Sequence, residues 1–445
     1  MYICKNRYRM KDILQSLISL KQNDIPTKYI ERELELPLDS GKIVAVTGGR
    51  RCGKSTLMEL AINDLLSSGV AREAIVWIGF DDERLKDMTT GELDLILTAY
   101  REMFPERKIS DTYFFFDEIQ RVDGWELFVM RLFKSYSKHI FLSGSNSEML
   151  SSEIATELRG WPLEYREYPL SFREYCRFTG VETDSFLEED TARLVSAFKA
   201  YNSEGGYPEV TLQKDRFIKT KILQGYFNTM IFQDLMERYN LSNPERIKYV
   251  LKRLMAGISK PASINSIYND IKSQGLKVSK DDLYDIADKA CSIFLLFKVQ
   301  KFDRSPVKEN NSLPKYYCID AGLRQNLLKP TSEDIGKLLE NAVFLHLNRN
   351  LSDDGKICYH TNDGRGERKT ECDFVVQERD EVTALVQACW NMDGTNRERE
   401  LEGILNAAQE SGCENMTIVT YDQEETISDE RGSINVLPAW KWFLR

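Results

Sequence analysis

The residues with the most specific chemistry lie in a glycine-containing loop, VTGGRRCGKST, at positions 46 to 56. Four residues separate Gly48 from Gly53, and Lys54 and Ser55 follow directly. Glycines at this spacing let backbone N–H groups surround phosphate oxygens, the lysine reaches the outermost phosphates, and the serine hydroxyl ligates Mg²⁺. The loop therefore predicts a site for ATP, or a close relative of ATP, together with Mg²⁺.

The whole loop is predicted to contact the nucleotide. Its residues are Gly48, Gly49, Arg50, Arg51, Cys52, Gly53, Lys54, Ser55 and Thr56. Lys54 is also expected to act in catalysis, and Ser55 is expected to be a metal ligand. Because Arg50 and Arg51 are too large to be simple spacers, we expect their side chains to point away from the phosphates, toward later parts of the chain.

A second functional group is expected at Asp117 and Glu118. They follow the apolar run TYFFF at positions 112 to 116, a pattern typical of a buried strand. In nucleotide hydrolases one carboxylate holds Mg²⁺, and another orients and deprotonates the attacking water. We assign the metal role to Asp117 and the role of catalytic base to Glu118. The alternative is a pair of exposed carboxylates after an edge strand.

A third polar strand end is predicted after HIFLSG, residues 139 to 144. Ser145 or Asn146 could lie beside the outermost phosphate and sense its presence, and we include Asn146 among the predicted nucleotide-binding residues. An ordinary turn between a strand and a helix explains either residue equally well.

The segments around these residues have the pattern of a parallel α/β sheet. KIVAVTGG, residues 42 to 49, is an apolar run rich in β-branched residues, and the segment after the loop has apolar residues at helical spacing. EAIVWIGF, residues 73 to 80, predicts one further strand. Four strands alternating with helices predict a parallel sheet whose ligands bind at the carboxyl edge.

Length and composition narrow the class of protein. The chain has 445 residues, enough for two or three domains, and 42% hydrophobic residues, as expected for a globular protein. The net charge of −10 argues against a surface that coats nucleic acid as a whole. Nine scattered cysteines and three histidines suggest neither a disulfide framework nor a zinc site. With no apolar run of membrane-spanning length, we expect a cytoplasmic protein that does not cross a membrane.

These residues resemble the AAA-type ATPases. More narrowly, the chain is similar to a widespread prokaryotic group with an N-terminal ATPase and a C-terminal domain of uncharacterised function. The segments that carry this resemblance occur in the expected order: GGRRCGKSTL, FFFDEIQRVDGWE, GSNSEMLSSEIATELRG, YPLSFREY and EGGYPEV. The resemblance implies that the chain binds ATP and Mg²⁺ and hydrolyses ATP.

The sequence departs from the group at Gly160-Trp161, where relatives have Gly-Arg. The arginine in that position is thought to act on the nucleotide as an arginine finger. Arg159 lies one position earlier, and we include it among the predicted catalytic residues. A surface salt bridge explains Arg159 equally well, and a neighbouring subunit of a homo-oligomer could supply the arginine instead.

The middle of the chain reads as a connector. Residues 166–245 predict a helical lid, and residues 246–305 predict three short helices and a strand pair, a pattern that looks like a winged helix. The helix in the position of a recognition helix carries Asp281, Asp282, Asp285 and Asp288. Because carboxylates repel DNA phosphates, contact with a protein is a better expectation for this segment than reading of DNA.

The last part of the chain, residues 306–445, has the order of a restriction-endonuclease-like domain. A helix carries Glu340, a strand carries Asp373, and the next strand carries Gln387. Such enzymes need carboxylates to hold Mg²⁺ and a lysine to stabilise charge. Cys389 occupies the lysine position, so we expect the domain to keep the fold without the cleavage activity.

The predicted fold class is therefore α/β: a P-loop NTPase sheet over residues 1–165, the helical lid, the winged-helix-like connector and the C-terminal nuclease-like domain. The leading functional hypothesis is an ATPase whose nucleotide cycle rearranges C-terminal domains that bind a protein or a nucleic acid. One alternative is an ATP-dependent nucleic-acid processing enzyme with an active nuclease. Another is a nucleotide-gated scaffold with little turnover.

Overall fold

The computed structural model describes most of the chain. The described residues are 2–24, 29–147, 158, 160–184, 187–275, 277–328, 334–362, 370–394 and 396–445, with the side chains of 2–8 and 306 left out. The chain divides into two compact units, Met1–Tyr168 and Pro169–Arg445. Within the described ranges, no helix combines the length and the apolar character needed to cross a membrane.

The first unit is built on a parallel sheet. Its strands are β1 (Ile43–Gly48), β2 (Ile75–Gly79), β3 (Tyr113–Asp117), β4 (Ile140–Gly144) and β5 (Pro162–Glu167). Its helices are α1 (Tyr2–Asn23), α2 (Lys54–Ser67), α3 (Leu95–Met103) and α4 (Trp125–Ser135). The strands lie in the order β2-β3-β4-β1-β5, and every neighbouring pair is parallel. The predicted mixed α/β class with a parallel sheet is confirmed.

Helices cover both faces of this sheet, which explains why the central strands are continuously apolar. Phe114 and Phe116 of β3 pack in a core with residues of α1, α3 and α4. Phe115, between them, points to the other face and packs with α2 residues and with Phe141, whose ring centroid is 4.5 Å away. Successive residues of a strand point to opposite faces, so a strand buried on both sides has no polar position.

Strand β5 was not predicted. It pairs with β1 in register from Ile43–Pro162 to Gly48–Glu167 and forms the edge of the sheet. Its sequence, PLEYRE, is only partly buried and carries three charged residues. An edge strand with one solvated face has no continuous apolar run, and this run was the signal used for the other strands.

The second unit contains an eight-stranded mixed sheet. Its strands are β6 (Leu296–Lys301), β7 (Lys315–Cys318), β8 (Gly355–Thr361), β9 (Glu371–Glu378), β10 (Glu381–Ala388), β11 (Met416–Thr420), β12 (Glu425–Asp429) and β13 (Gly432–Pro438). They lie in the order β12-β13-β11-β10-β9-β8-β6-β7. Strands β6 and β8, β10 and β11, and β11 and β13 are parallel, whereas the other neighbouring pairs are antiparallel.

Helices lie before, between and after these strands. They are α5 (Phe172–Thr179), α6 (Glu188–Glu204), α7 (Pro208–Leu212), α8 (Arg216–Thr229), α9 (Pro244–Ala256), α10 (Ile264–Ser273), α11 (Lys280–Ser292), α12 (Pro306–Asn310), α13 (Ala321–Leu327), α14 (Asp334–Arg349), α15 (Arg397–Ser411) and α16 (Ala439–Trp442). A π-helical segment, Met230–Glu237, continues α8. Side chains of α5, α6, α14 and α16 share one apolar core with the sheet.

The segment predicted to be a winged helix contains α9, α10 and α11, followed by β6. Strand β6 pairs with β7 on one side and with β8 on the other. The predicted boundary between residues 305 and 306 therefore falls inside a hairpin of the larger sheet. The winged helix, the nuclease-like fold and the four-part division remain predictions.

The Gly-Gly pair of EGGYPEV has a packing explanation. The backbone N–H of Gly206 donates to Oδ2 of Asp320 at 2.7 Å, and the N–H of Leu323 donates to Oδ1 at 2.8 Å. A Cβ atom at Gly205, where φ is +81°, would lie 2.3 Å from the same carboxylate. Only glycine fits there, so the pair lets the chain wrap closely around a buried aspartate.

Candidate nucleotide site

The phosphate-binding loop connects the end of β1 to the start of α2, as the sequence predicts. Gly48 has φ of +147°, and a Cβ there would lie 2.1 Å from the backbone oxygen of Glu167 on β5. Gly53 has φ of +110°, and its Cβ would lie 2.7 Å from Nη1 of Arg32. Both positions combine a left-handed backbone with a close neighbour, so any other residue would deform the loop.

Lys54 lies over the loop that precedes it. Its buried ammonium donates to the backbone oxygens of Gly48 at 3.0 Å and Gly49 at 2.9 Å. Hydrogen bonds between two charged groups are stronger than those between a charged group and a neutral carbonyl. The ammonium of Lys54 can therefore exchange these two carbonyls for phosphate oxygens.

The loop and β3 meet at Asp117. Its Oδ2 accepts a hydrogen bond from the Ser55 hydroxyl at 2.7 Å, and its Oδ1 accepts one from the hydroxyl of Ser143 on β4. Hard divalent cations prefer hydroxyl and carboxylate oxygens of this kind. Ser55 and Asp117, the two predicted metal ligands, are therefore adjacent and have suitable chemistry for Mg²⁺.

Glu118 lies beside this group and is held by several hydrogen bonds. Its Oε2 accepts from the Ser145 hydroxyl at 3.0 Å and from the Gln120 amide at 2.5 Å. Its backbone N–H donates to Oγ of Ser143 at 3.2 Å. The backbone of Glu118 is left-handed, with φ of 54°, an uncommon conformation for a residue with a Cβ. Such conformations often occur at functional sites, where the surrounding structure holds them.

The two neighbouring carboxyls have opposite pKa shifts. Burial raises the pKa of Asp117, against the hydrogen bonds from Ser143 and Ser55. Burial also acts to raise the pKa of Glu118, but the charges of Lys54 and Arg50 and the hydrogen bonds outweigh it, and the pKa is lowered. Glu118 therefore stays ionised at neutral pH, as a proton acceptor must.

The other predicted residues occupy different positions around the loop. Cys52 and Asn146 are buried, and the Ser145 hydroxyl, next to Asn146, contacts Glu118. Arg51 is exposed and has φ of 65°, and Thr56 is partly exposed. The charge of Arg50 acts to lower the pKa of Glu118, and the direction of the two loop arginines remains a prediction.

Arg32 belongs to the surroundings of the loop but was not predicted. Its guanidinium donates to the backbone oxygen of Cys52 at 2.9 Å and to that of Tyr168 at 3.0 Å, and it pairs with Glu167. The side chains of Arg32 and Glu167 are 3% and 2% exposed. Arg32 thus joins the loop to the end of β5. It lies just before the alternating residues Leu34, Leu36 and Leu38, a pattern that does not indicate an arginine bound to the loop.

Arg159, the predicted finger, lies outside the described residues, and its role remains a prediction. Its described neighbours Gly160 and Trp161 precede β5, at the end where Ile43 pairs with Pro162. The phosphate loop begins at the opposite end of β1. Six residues of strand span roughly 20 Å, and this is the distance between the two ends. Trp161 packs there against Phe133, with 5.2 Å between ring centroids.

In the second unit, Glu340 and Asp373 come together as predicted, but around a lysine from another strand. Nζ of Lys315 lies 3.0 Å from Oε1 of Glu340, 2.6 Å from Oε1 of Glu371 and 3.4 Å from Oδ1 of Asp373. Lys315 and Glu371 were not predicted, because neither position belongs to the pattern of helix and strands that identified the other residues.

Gln387 and Cys389 extend this group without adding a cation. Oε1 of Gln387 accepts from the backbone N–H of Asp373 at 2.9 Å, and its amide donates to Glu400 at 2.5 Å. Cys389 is buried, and its thiol contacts the backbone oxygen of Asn391. Across the described ranges, no group of three or more His, Cys, Asp or Glu side chains has an arrangement that could hold a metal ion.

Family models match two parts of the chain. Residues 40–176 match an AAA domain, and residues 195–334 match a domain of unknown function, DUF8612. An uncharacterized protein of Methanocaldococcus jannaschii is 31% identical over 424 residues, which cover 94% of this chain and 91% of the archaeal protein. The chain belongs to the same family as this archaeal protein, and its N-terminal part is an AAA domain.

Other relatives are more distant. An uncharacterized protein of Haemophilus influenzae is 29% identical over 354 residues, 80% of this chain and 84% of that protein. A Walker-type ATPase of Pyrococcus abyssi has a TM-score of 0.41 and 13% identity, covering 64% of this chain and 90% of its own. The Orc1 protein of Aeropyrum pernix, solved with DNA, has a TM-score of 0.29 and 12% identity, covering 72% and 91%. The family assignment rests on the sequence matches.

The AAA domain supports nucleotide binding and an ATP-dependent activity for this chain. The matched residues include β1, the phosphate loop, Asp117 and Glu118, so the family assignment and the contacts described above concern the same part of the molecule.

Proposed function

We propose that this chain is a Mg²⁺-dependent ATPase and that hydrolysis takes place between the phosphate loop and the carboxyl end of β3. The observation that carries the proposal is the 2.7 Å hydrogen bond from Oγ of Ser55 to Oδ2 of Asp117. This bond joins the first turn of α2 to the end of β3, where Asp117 and Glu118 lie. Nucleotide hydrolysis requires the phosphate loop as well as these carboxylates.

Each side chain has a distinct task in this proposal. The ammonium of Lys54 exchanges the backbone oxygens of Gly48 and Gly49 for oxygens of the triphosphate. Ser55 and Asp117 would hold Mg²⁺, which supplies positive charge to the phosphates during the transfer. Glu118, its carboxylate fixed by Ser145, accepts a proton from water.

Hydrolysis is proposed to rearrange the parts of the chain that follow residue 168. Arg32 supports this, because its guanidinium contacts both the loop, at Cys52, and the last residue of the first unit, Tyr168. A change in the loop on loss of the outermost phosphate therefore acts directly on the segment that leads to the second unit.

A comparison of phosphate release by the wild type and by Glu118→Gln tests the proposal. Removing a general base typically lowers the rate by about 10²–10⁴-fold, so we expect a loss of at least about 100-fold with nucleotide binding retained. Lys54→Ala should weaken binding itself. Glu102→Gln, an exposed carboxylate of the same unit paired with Lys11, is the matched control and should behave as the wild type.

Equal rates for the wild type and Glu118→Gln would remove Glu118 from the mechanism. Tight ATP binding with no phosphate release from the wild type would favour the alternative of a nucleotide-gated scaffold. Failure of ATP to bind at all, with the protein folded, would refute the proposed function.

A further inference from the structure

The second unit contains a buried charge cluster that takes no part in the nucleotide chemistry. It consists of Lys315 on β7, Glu340 on α14, and Glu371 and Asp373 on β9. The Lys315 side chain is 0% exposed, and its ammonium lies within 3.4 Å of an oxygen of each of the three carboxyls. We call these four residues the Lys315 cluster.

Two further hydrogen bonds hold carboxyl oxygens of the cluster. The Tyr317 hydroxyl donates to Oε1 of Glu340 at 2.7 Å, the same oxygen that contacts Lys315. Oδ2 of Asp373 accepts from the backbone N–H of Ala388 at 3.0 Å. The oxygens that would have to face a bound cation therefore face Nζ of Lys315.

The charges of the Lys315 cluster act on one another at short range. Burial opposes the charge on Lys315, but the surrounding carboxyls raise the pKa of its ammonium well above the usual range. Burial raises the pKa of Glu340 and Asp373, while the charge of Lys315 acts in the opposite direction on both. Glu371 is partly exposed, and water can stabilise its charge.

We propose that Lys315 is the resident cation of this cluster and takes the place of the divalent metal that a restriction-endonuclease-like domain would hold. Mg²⁺ and Ca²⁺ bind oxygens at about 2.0–2.6 Å, so an ion shared by these three carboxyls would occupy the position of Nζ. Metal and lysine are mutually exclusive there. The expected metal site does not fit these residues.

This arrangement also accounts for Cys389. The cation missing at that position is supplied by Lys315 from β7, but a fully buried ammonium cannot reach a phosphodiester substrate. The Lys315 cluster is thus a structural support of the second unit. The inference does not depend on the proposed ATPase activity.

Lys315→Met tests the proposal, with Lys298→Met as the matched control on the neighbouring strand. Lys298 pairs with Asp288 at 3.7 Å, and its side chain is 36% exposed, so its loss should change little. Lys315→Met leaves three carboxyls without a cation and is expected to lower the melting temperature by roughly 10 °C. Both variants and the wild type are melted with and without Ca²⁺ or Mn²⁺, in the absence of nucleotide.

We expect divalent ions to raise the melting temperature of Lys315→Met only. Tb³⁺ gives an independent measurement, because Tyr317 touches Glu340 and can sensitise the emission of an ion bound there. Lys315→Met should show sensitised emission above the level of the wild type and Lys298→Met. Emission from the wild type that Asp373→Asn abolishes would overturn the proposal, as would a Lys315→Met protein as stable as the wild type.

If Lys315→Met does not fold, the triple variant Lys315→Met, Glu340→Gln, Asp373→Asn keeps the proposal testable. Removing two negative charges together with the lysine should restore folding, since no unbalanced charge is left deep in the unit. A triple variant that remains unfolded would show that Lys315 has a role other than charge balance and would overturn the proposal.

Discussion

At the scale of single residues, the adjacent carboxyls Asp117 and Glu118 are chemically different because their surroundings differ. Asp117 is surrounded by serine hydroxyls, and burial dominates its pKa, which is raised. For Glu118, the charges of Lys54 and Arg50 lower the pKa in spite of burial. Neighbouring groups whose pKa values are shifted apart can divide metal binding and proton transfer between them.

Arg50 and Arg51 should therefore differ in function although they are adjacent. Arg50→Ala removes a positive charge that acts on Glu118, so we expect at least about a tenfold decrease in kcat. Arg51→Ala, at an exposed position, should change kcat less than twofold. Steady-state phosphate release measures both.

A small effect of Arg50→Ala, equal to that of Arg51→Ala, would contradict this assignment. The two substitutions remove the same side chain from neighbouring positions, so their comparison cancels the change in net charge.

The phosphate site was predictable to the extent that its residues are close in sequence. Gly48, Gly53, Lys54 and Ser55 lie within eight residues, and their spacing carries the chemistry. Arg32 precedes Cys52 by 20 residues, and Lys315 is 58 residues from Asp373. These contacts exist only after strands have paired, so no local pattern indicates them.

At the scale of elements, β5 is a strand of the first unit that was not predicted, and its end supports the loop. The backbone of Glu167 at its end leaves room only for glycine at position 48. The buried pair of Arg32 and Glu167 then ties the same strand end to Cys52. The strands with continuous apolar runs were predictable, whereas the amphipathic edge strand was not.

Arg32→Met should destabilise the first unit and weaken nucleotide binding together. The substitution breaks the buried ion pair between Arg32 and Glu167, and breaking such a pair typically costs about 3–5 kcal/mol. Arg131→Met is the matched control, since Arg131 pairs with Asp94 at the surface, where both side chains are about half exposed, and such pairs contribute at most about 1 kcal/mol.

Thermal unfolding and ATP titration of both variants measure these effects. Adding Glu167→Gln to Arg32→Met should recover part of the lost stability. If Arg32→Met binds ATP as well as Arg131→Met does, the contact between Arg32 and the loop does not position the site.

At the scale of the whole molecule, the proposed cycle requires the second unit to respond to the nucleotide bound by the first. We expect a non-hydrolysable ATP analogue to change backbone hydrogen exchange in the second unit, beginning with the segment just after Tyr168. Lys54→Ala, which should not bind the analogue, is the control. Protection confined to residues 1–168 would contradict coupling while leaving ATP binding intact.

The buried carboxylate of Asp320 has a consequence for synthesis of the protein. It accepts from the backbone of Gly206, 114 residues earlier in the chain. At about 5–20 residues per second, a ribosome needs roughly ten seconds to synthesise the chain from Gly206 to Asp320. Asp320 leaves the exit tunnel later still. During this time the turn after α6 lacks its acceptor, the Asp320 carboxylate. The second unit is therefore most accessible to proteases and chaperones during its synthesis.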